Sequence, residues 1–390
     1  MDASPAARPG PAGDPSGFGL GGRLRSASKV LPEQARAHNR ALVLQTLYHR
    51  GAMSRADLAR ETALTRVTIS DLVAESIADG IIHELGVREA AGPGKPAIVI
   101  DIDRDGHRII GVDLSGTTAF DGAVLDLGGR MLERRSAPFP PGADAERAYS
   151  TALGLIRELT AAVTRPVLGI GVGTPGVVRP DGTIVRAPNL SWTEFPLEER
   201  LSEDLGLPVL VRNDANAAVL AEYTFAEARA DVMLIRIGRG VGAGLIAGGQ
   251  PLVGARFAAG EIGHVVVGTD RGPRCVCGRV GCLEAWVNAP RLNAEIAAHP
   301  GRRREILEDA GARLGIAIAP IVAALDLSEV VIAGAPSLFA GVFVDAATRA
   351  LHARTLEGVF ADVPVRLSDQ DGIVLRGAAV MVLSAQLGVS

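Results

Sequence analysis

Residues 54–79 read SRADLARETALTRVTISDLVAESIAD, and the punctuation of this stretch decides how the first hundred residues fold. Ser54 is a capping residue type and starts a short helix over residues 55–61. The four residues from Thr62 to Thr65 make a tight connection, and a longer helix follows over residues 66–79. On that helix Ile69, Leu72, Val73 and Ile77 share an inward stripe, which leaves Arg66, Thr68, Ser70 and Asp71 off it. Upstream, Ala41, Leu42, Leu44, Leu47 and Tyr48 recur at helical spacing and predict a helix over residues 34–50 that stops at Gly51. Downstream, two extended runs at 81–85 and 97–100 flank the turn Gly92-Pro93-Gly94-Lys95-Pro96. Helix, helix-turn-helix and β-wing over residues 31–103 is the plan of a winged helix-turn-helix domain.

Such a domain lays the outer face of its second motif helix in the major groove of duplex DNA, so Arg66, Thr68 and Ser70 are the expected base-facing residues. Arg40 and Lys95, with Arg36, His38 and Asn39, are placed to reach phosphates. A three-helix bundle that binds protein competes with this reading. Residues 31–100 carry eight Lys/Arg against eight Asp/Glu, a balance that does not favour nucleic acid.

Residues 1–30 are rich in Pro, Gly, Ser and Ala without hydrophobic periodicity and are expected to form a flexible arm. Beyond residue 103 the pattern becomes α/β. Apolar strands are expected at 109–114, 123–127, 167–172, 209–211, 232–237, 244–247 and 330–333, with helices at 144–163, 215–228, 290–297 and 303–324 and further helices to the end. That order fits two α/β lobes with a cleft between them over residues 104–390. The 390-residue length suits two or three domains, and 47% apolar with 22% charged residues describes an ordinary soluble globular protein. No signal peptide opens the chain, and the apolar window at 230–250 is broken by Arg236 and Arg239. A cytoplasmic location and no membrane partner are therefore expected.

All three cysteines, Cys275, Cys277 and Cys282, fall within eight residues, and His264 lies shortly before them. Three thiolates and an imidazole make a closed tetrahedral donor set suited to structural Zn2+, with Gly278 and Gly281 letting the loop fold around the ion. The alternative is a loop with three incidental cysteines. Glu261 and Glu284 flank this segment, and carboxylates beside an imidazole can accept hydrogen bonds from several sugar hydroxyls. Each can also be a solvated loop charge. Arg212-Asn213-Asp214-Ala215-Asn216 joins a strand end to a helix start, where open α/β sheets bind ligands. Asp214 is there either a general base for phosphoryl transfer or a helix cap. Glycine loops at 113–118, 171–176 and 238–244 can cradle phosphates, and none has the dinucleotide-binding pattern in its strand–loop–helix setting.

GEIGH followed by CxCGxxGCLE resembles the signature of the ROK family (repressor, open reading frame, kinase), as do NDANAAVLAE, TPGVV, APNLSW and LRGAAVMVLS. The resemblance spans nearly all of residues 31–390. It implies an actin-like ATPase fold of two RNase H-like lobes, a sugar bound between them, and a homodimer or homotetramer. With an N-terminal winged helix it also implies repression of sugar-utilisation genes, modulated by a sugar or sugar phosphate. Carried over, Asn189, Asn213, Asp214, Glu261, His264 and Glu284 fall where family members contact sugar, His264 also holding zinc. The kinases of the family resemble DxGGTK and GTGxGxG in their phosphate loops. Here Ser115 and Thr118 depart from the first, Thr118 replacing the lysine, and Arg239 replaces the threonine of the second. The adenosine-side segment Ile332-Ala333-Gly334-Ala335 has also lost glycines. These departures favour a sensor without ATP over the alternative, an ATP-dependent sugar kinase with an added DNA-binding domain and Asp214 as base. A zinc-stabilised interaction module without a small ligand is the third reading.

Overall fold

The structure is a computed structural model that describes residues 32–88, 97–140, 142–226, 228–268 and 272–389. The expected arm at 1–30 and the wing tip with Lys95 lie outside the described residues.

Helices Pro32–Arg50, Arg55–Thr62 and Arg66–Ala78 pack with a small sheet of Met53–Ser54, Ala97–Ile102 and Ile82–Arg88, in that spatial order. The local causes are those the residue types dictate. Gly51 closes the first helix with a positive φ of 76°. Ser54 and Asp57 cap each other's backbone amides at the start of the second. Thr65 accepts from the Thr68 amide at the start of the third, and the connection turns through Ala63 at φ 55°. Leu44, Leu47, Leu58, Ile69, Leu72 and Val73 form the buried faces.

The rest of the described chain is built on two five-stranded sheets of one topology. In the first the order is Val209–Asn213, Val167–Thr174, Arg108–Asp113, Ala119–Leu125, Met131–Pro138. In the second it is Val365–Leu367, Glu329–Gly334, Val232–Ile237, Val241–Ala247, Gln250–Pro251. Each sheet centres on its first strand, which pairs antiparallel with the next strand and parallel with a later one. These are the two RNase H-like lobes of the actin-like ATPase fold. Each has its own apolar core.

Several elements differ from or add to the sequence reading. Met131–Pro138 is an edge strand whose side chains alternate between half-buried and exposed, and its charged stretch Glu133-Arg134-Arg135 suits a guarded edge. A separate ribbon joins Trp192–Pro196, Thr183–Ala187 and Val177–Val178. Helix Leu197–Leu205 follows it, and Val365–Leu367 is only three residues long.

The C-terminal helix Ile373–Leu387 connects everything. It is apolar almost all round, and Val374, Leu375, Ala378, Ala379, Val382 and Leu383 are buried. Gly377 lies against the Ala217 carbonyl and Gly171 against the Ala378 carbonyl, so closely that a Cβ at either glycine would overlap backbone. Its far end continues into the N-terminal domain: Leu383, Leu387 and Val389 share one apolar cluster with Val43, Leu44, Leu47 and Tyr48, and with Ile109, Leu125 and Leu127 of the first lobe. No described helix is long and apolar enough to cross a membrane.

Candidate metal centre and ligand cleft

The metal centre is assembled from two short segments. His264 ends a 3-10 turn over Ile262–His264. Cys275, Cys277 and Cys282 sit on a narrow ribbon held by bridges between Val266 and Cys282 and between Arg274 and Val280. The ribbon turns where the Gly278 amide donates to the Cys275 carbonyl at 3.0 Å and the Cys275 amide to the Arg279 carbonyl at 2.8 Å. Gly278 and Gly281 both carry positive φ, 90° and 81°, a conformation cheap only for glycine. The four donor atoms lie within 4.8 Å of one another. His264 Nδ1 is 3.6 Å from Cys275 Sγ, and Cys277 Sγ is 3.6 Å from Cys282 Sγ. A tetrahedral ion with metal–sulfur bonds of about 2.3 Å requires sulfur–sulfur edges of about 3.8 Å, so the donors fit one. Burial pushes the Cys275 thiol up to about 12, so it carries its proton at neutral pH unless a cation sits beside it.

Glu284 joins this centre to the glycine loop at 238–244. One carboxylate oxygen is 3.6 Å from Cys275 Sγ, and the other accepts from the Val241 amide at 3.1 Å. Glu261 is exposed, and its carboxyl is raised above the usual range, first by desolvation, with His264 opposing and Asp214 and Glu284 adding to the rise. Asn213 caps helix Asp214–Phe225, its Oδ1 accepting from the Ala215 and Asn216 amides while Nδ2 donates to the Gly176 carbonyl at 3.0 Å. Asn189 is exposed in the 3-10 turn Pro188–Leu190 of the ribbon.

Asp214 is buried at the first turn of its helix, and desolvation raises its carboxyl while Arg236 opposes the rise. Arg236 Nη1 lies 2.5 Å from Asp214 Oδ2. The arginine is the one charged residue in the central strand Val232–Ile237. Sequence reading noted it only as an interruption of an apolar window, although a lone cation amid buried aliphatic neighbours was itself the signal of a partner. Thr118 and Arg239 are exposed at the two loop tips. Asp113, Arg236, Ile237, Gly238, Ala333 and Gly334 line a cavity of about 260 Å³.

On the N-terminal domain Arg66 is exposed on the first turn of its helix. Thr68 Oγ1 is 2.9 Å from Thr65 Oγ1, and Ser70 Oγ donates to the Arg66 carbonyl at 2.9 Å. Arg40 makes a 3.1 Å ion pair with Asp79, and Arg36 a 2.6 Å pair with Glu75. Val67 is 71% exposed beside Arg66. The sequence reading did not single it out, and an apolar residue off the inward stripe was the available signal.

The sequence pattern that defines the ROK family matches residues 109–385. The chain belongs to the ROK family. Within it, the chain is similar over almost its whole length to a xylose repressor of Caldicellulosiruptor bescii, 28% identical over 386 residues that cover 90% of this chain and 96% of that one. Its fold matches a crystal structure of a ROK family transcriptional regulator, a homologue of the E. coli MLC protein, with a TM-score of 0.80, 24% identity and coverage of 91% and 98%. A ROK family glucokinase from Streptomyces griseus, solved with glucose and AMPPNP, matches with a TM-score of 0.62 and 26% identity and covers 70% of this chain and 98% of its own. The kinase thus matches the two lobes' share of the chain, and the regulators match the N-terminal domain as well.

Proposed function

We propose that this ROK family chain is a DNA-binding transcriptional repressor of sugar-utilisation genes, whose operator affinity is set by a sugar or sugar phosphate bound between the lobes. The observation that carries the reading is the continuous apolar cluster in which the N-terminal helices, the first lobe's sheet and the C-terminal helix share one core. The opposite end of that helix, at Ile373, Val374 and Leu375, lines the interlobe cavity. A ligand that binds one lobe arrangement better than another therefore has a rigid route to the DNA-binding helices.

Zn2+ is the ion that three thiolates and an imidazole at these distances suit best. His264, Cys275, Cys277 and Cys282 would hold it, and it would supply positive charge and a fixed loop. With Nδ1 turned to the sulfurs, Nε2 of His264 is left for a sugar hydroxyl, beside Glu261, Glu284, Asp214, Asn213 and Asn189. Arg66, Thr68 and Ser70 would read base edges, with Arg40 and Lys95 on phosphates. A homodimer or homotetramer in the cytoplasm would present paired helices to a palindromic operator. Selection of duplexes from a random pool tests the DNA-binding half. Enrichment of a palindrome supports it, and no enrichment over a domain-deleted control contradicts it.

A further inference from the structure

Arg236 belongs to no part of the sugar-binding set, yet it is the most heavily committed cation in the cleft. Its guanidinium reaches from the central strand of the second lobe to three groups. Nη1 lies 2.5 Å from Asp214 Oδ2, Nη2 donates to Ser115 Oγ at 2.6 Å, and Nη2 lies 3.6 Å from Asp113 Oδ2. Asp113 ends the central strand of the first lobe, and its other oxygen accepts from the Ser115 amide at 2.9 Å and from the Ser115 hydroxyl. The departure at Ser115 thus has a physical role: its hydroxyl accepts from the arginine and donates to the aspartate. All three charged side chains are largely enclosed, 28% exposed for Arg236, 17% for Asp113 and 12% for Asp214.

Asp113 and Asp214 both lie at the carboxyl ends of first-lobe strands, and two carboxylates brought together in an enclosed cleft need a cation beside them, which here comes from the second lobe. In a phosphotransferase that cation is a divalent metal carrying the nucleotide's phosphates. Here Arg236 stands at that point. It lines the 260 Å³ cavity from which a nucleotide would approach, and it contacts Asp214, which does not line that cavity. A divalent ion would need the same carboxylate oxygens at about 2.1 Å, and it would meet a fixed positive charge in contact with them.

We propose that Arg236 is a built-in counter-cation that takes the place of a divalent metal ion between Asp113 and Asp214, so that the cleft refuses a metal–nucleotide complex. Asp214 is thereby fixed as a hydrogen-bond acceptor, with one oxygen on Arg236 and the other on the Ala215 amide at 2.8 Å. The inference deepens the reading of the cleft as a non-phosphorylating sugar site, and it does not depend on DNA binding.

The test is Mn2+ binding to the zinc-loaded full chain, followed by electron paramagnetic resonance. The wild type is expected to bind no Mn2+ that depends on Asp113. Arg236→Met is expected to gain one Mn2+ per chain at this site, and Asp113→Asn in the Arg236→Met background to lose it. Arg236→Gln, which keeps a hydrogen-bonding group near Ser115, serves if the methionine variant does not fold. Wild-type Mn2+ binding that Asp113→Asn abolishes overturns the proposal. So does a variant that keeps its zinc and its cooperative melting yet gains no Mn2+. Neither operator nor sugar enters the measurement, so failure of the repressor reading leaves its outcome untouched.

Discussion

The Tyr48 hydroxyl donates to the Leu127 carbonyl at 2.9 Å across the boundary between the N-terminal helices and the first lobe's sheet. Arg104 reinforces the junction, donating to the Tyr48 carbonyl at 3.2 Å with its guanidinium 5.5 Å from the ring centroid. The junction is therefore a packed interface with a directed polar contact, which is what a mechanical link between a ligand cleft and a DNA reader requires.

Tyr48→Phe is expected to cost about 1 to 3 kcal/mol, because it leaves the Leu127 carbonyl without its donor, and to weaken the response of operator affinity to sugar. The pH dependence has a definite sign. Burial raises the Tyr48 phenol from 10.0 to about 12, so its contribution is complete below pH 10 and fades as pH rises through the folded value. Thermal melts from pH 8 to pH 12 should show a shallower alkaline loss in the variant than in the wild type. Equal slopes would contradict the assignment.

Two glycines separate packing from propensity. Gly377→Ala drives a methyl into the Ala217 carbonyl and is expected to cost about 3 kcal/mol or more. Gly154, in helix Ala145–Ala162, has open space around its missing Cβ, so Gly154→Ala should stabilise by up to about 1 kcal/mol. Denaturant titration of the two variants should move in opposite directions.

If the four donors hold the proposed ion, Cys277→Ser should lose it and, with it, the proposed sugar response, because that ion would close the loop that carries Cys282 and leads into Glu284. Zinc per chain by mass spectrometry and sugar affinity by calorimetry check both halves. Unchanged sugar affinity in a metal-free variant would refute the idea that the ion organises the cleft.

Arg66→Ala should weaken operator binding by about 1 to 3 kcal/mol, with most of the loss at one base position. A uniform loss across sequences, with a lower salt slope, would reassign Arg66 to a phosphate.

Much of this was legible in the residues. The boundaries around Ser54, Thr65 and Gly51 are written in capping and left-handed residue types, which act locally. The four metal donors are legible for a similar reason, since donor chemistry and loop spacing are both sequence-local. The Arg236 contacts were not, because Asp113, Ser115 and Asp214 come to it from strands and a helix far apart in the chain. Arg40 is a cation whose reach to phosphates is read from its place on the first helix, while its ion pair with Asp79, 39 residues away, is set by the fold and has no local signal. Met131–Pro138 was passed over because its alternation carries charges on a sheet edge rather than apolar residues in a core.

The most direct measurement is the operator dissociation constant of one zinc-loaded sample at fixed salt, with and without each of a panel of pentoses, hexoses, N-acetylhexosamines and their phosphates. At least one compound should change it fivefold or more, in line with coupling energies of about 1 kcal/mol and above, and Glu261→Gln should abolish that change while operator affinity without sugar stays as in the wild type. An operator affinity that no carbohydrate alters, in protein shown to bind both DNA and zinc, would contradict the account.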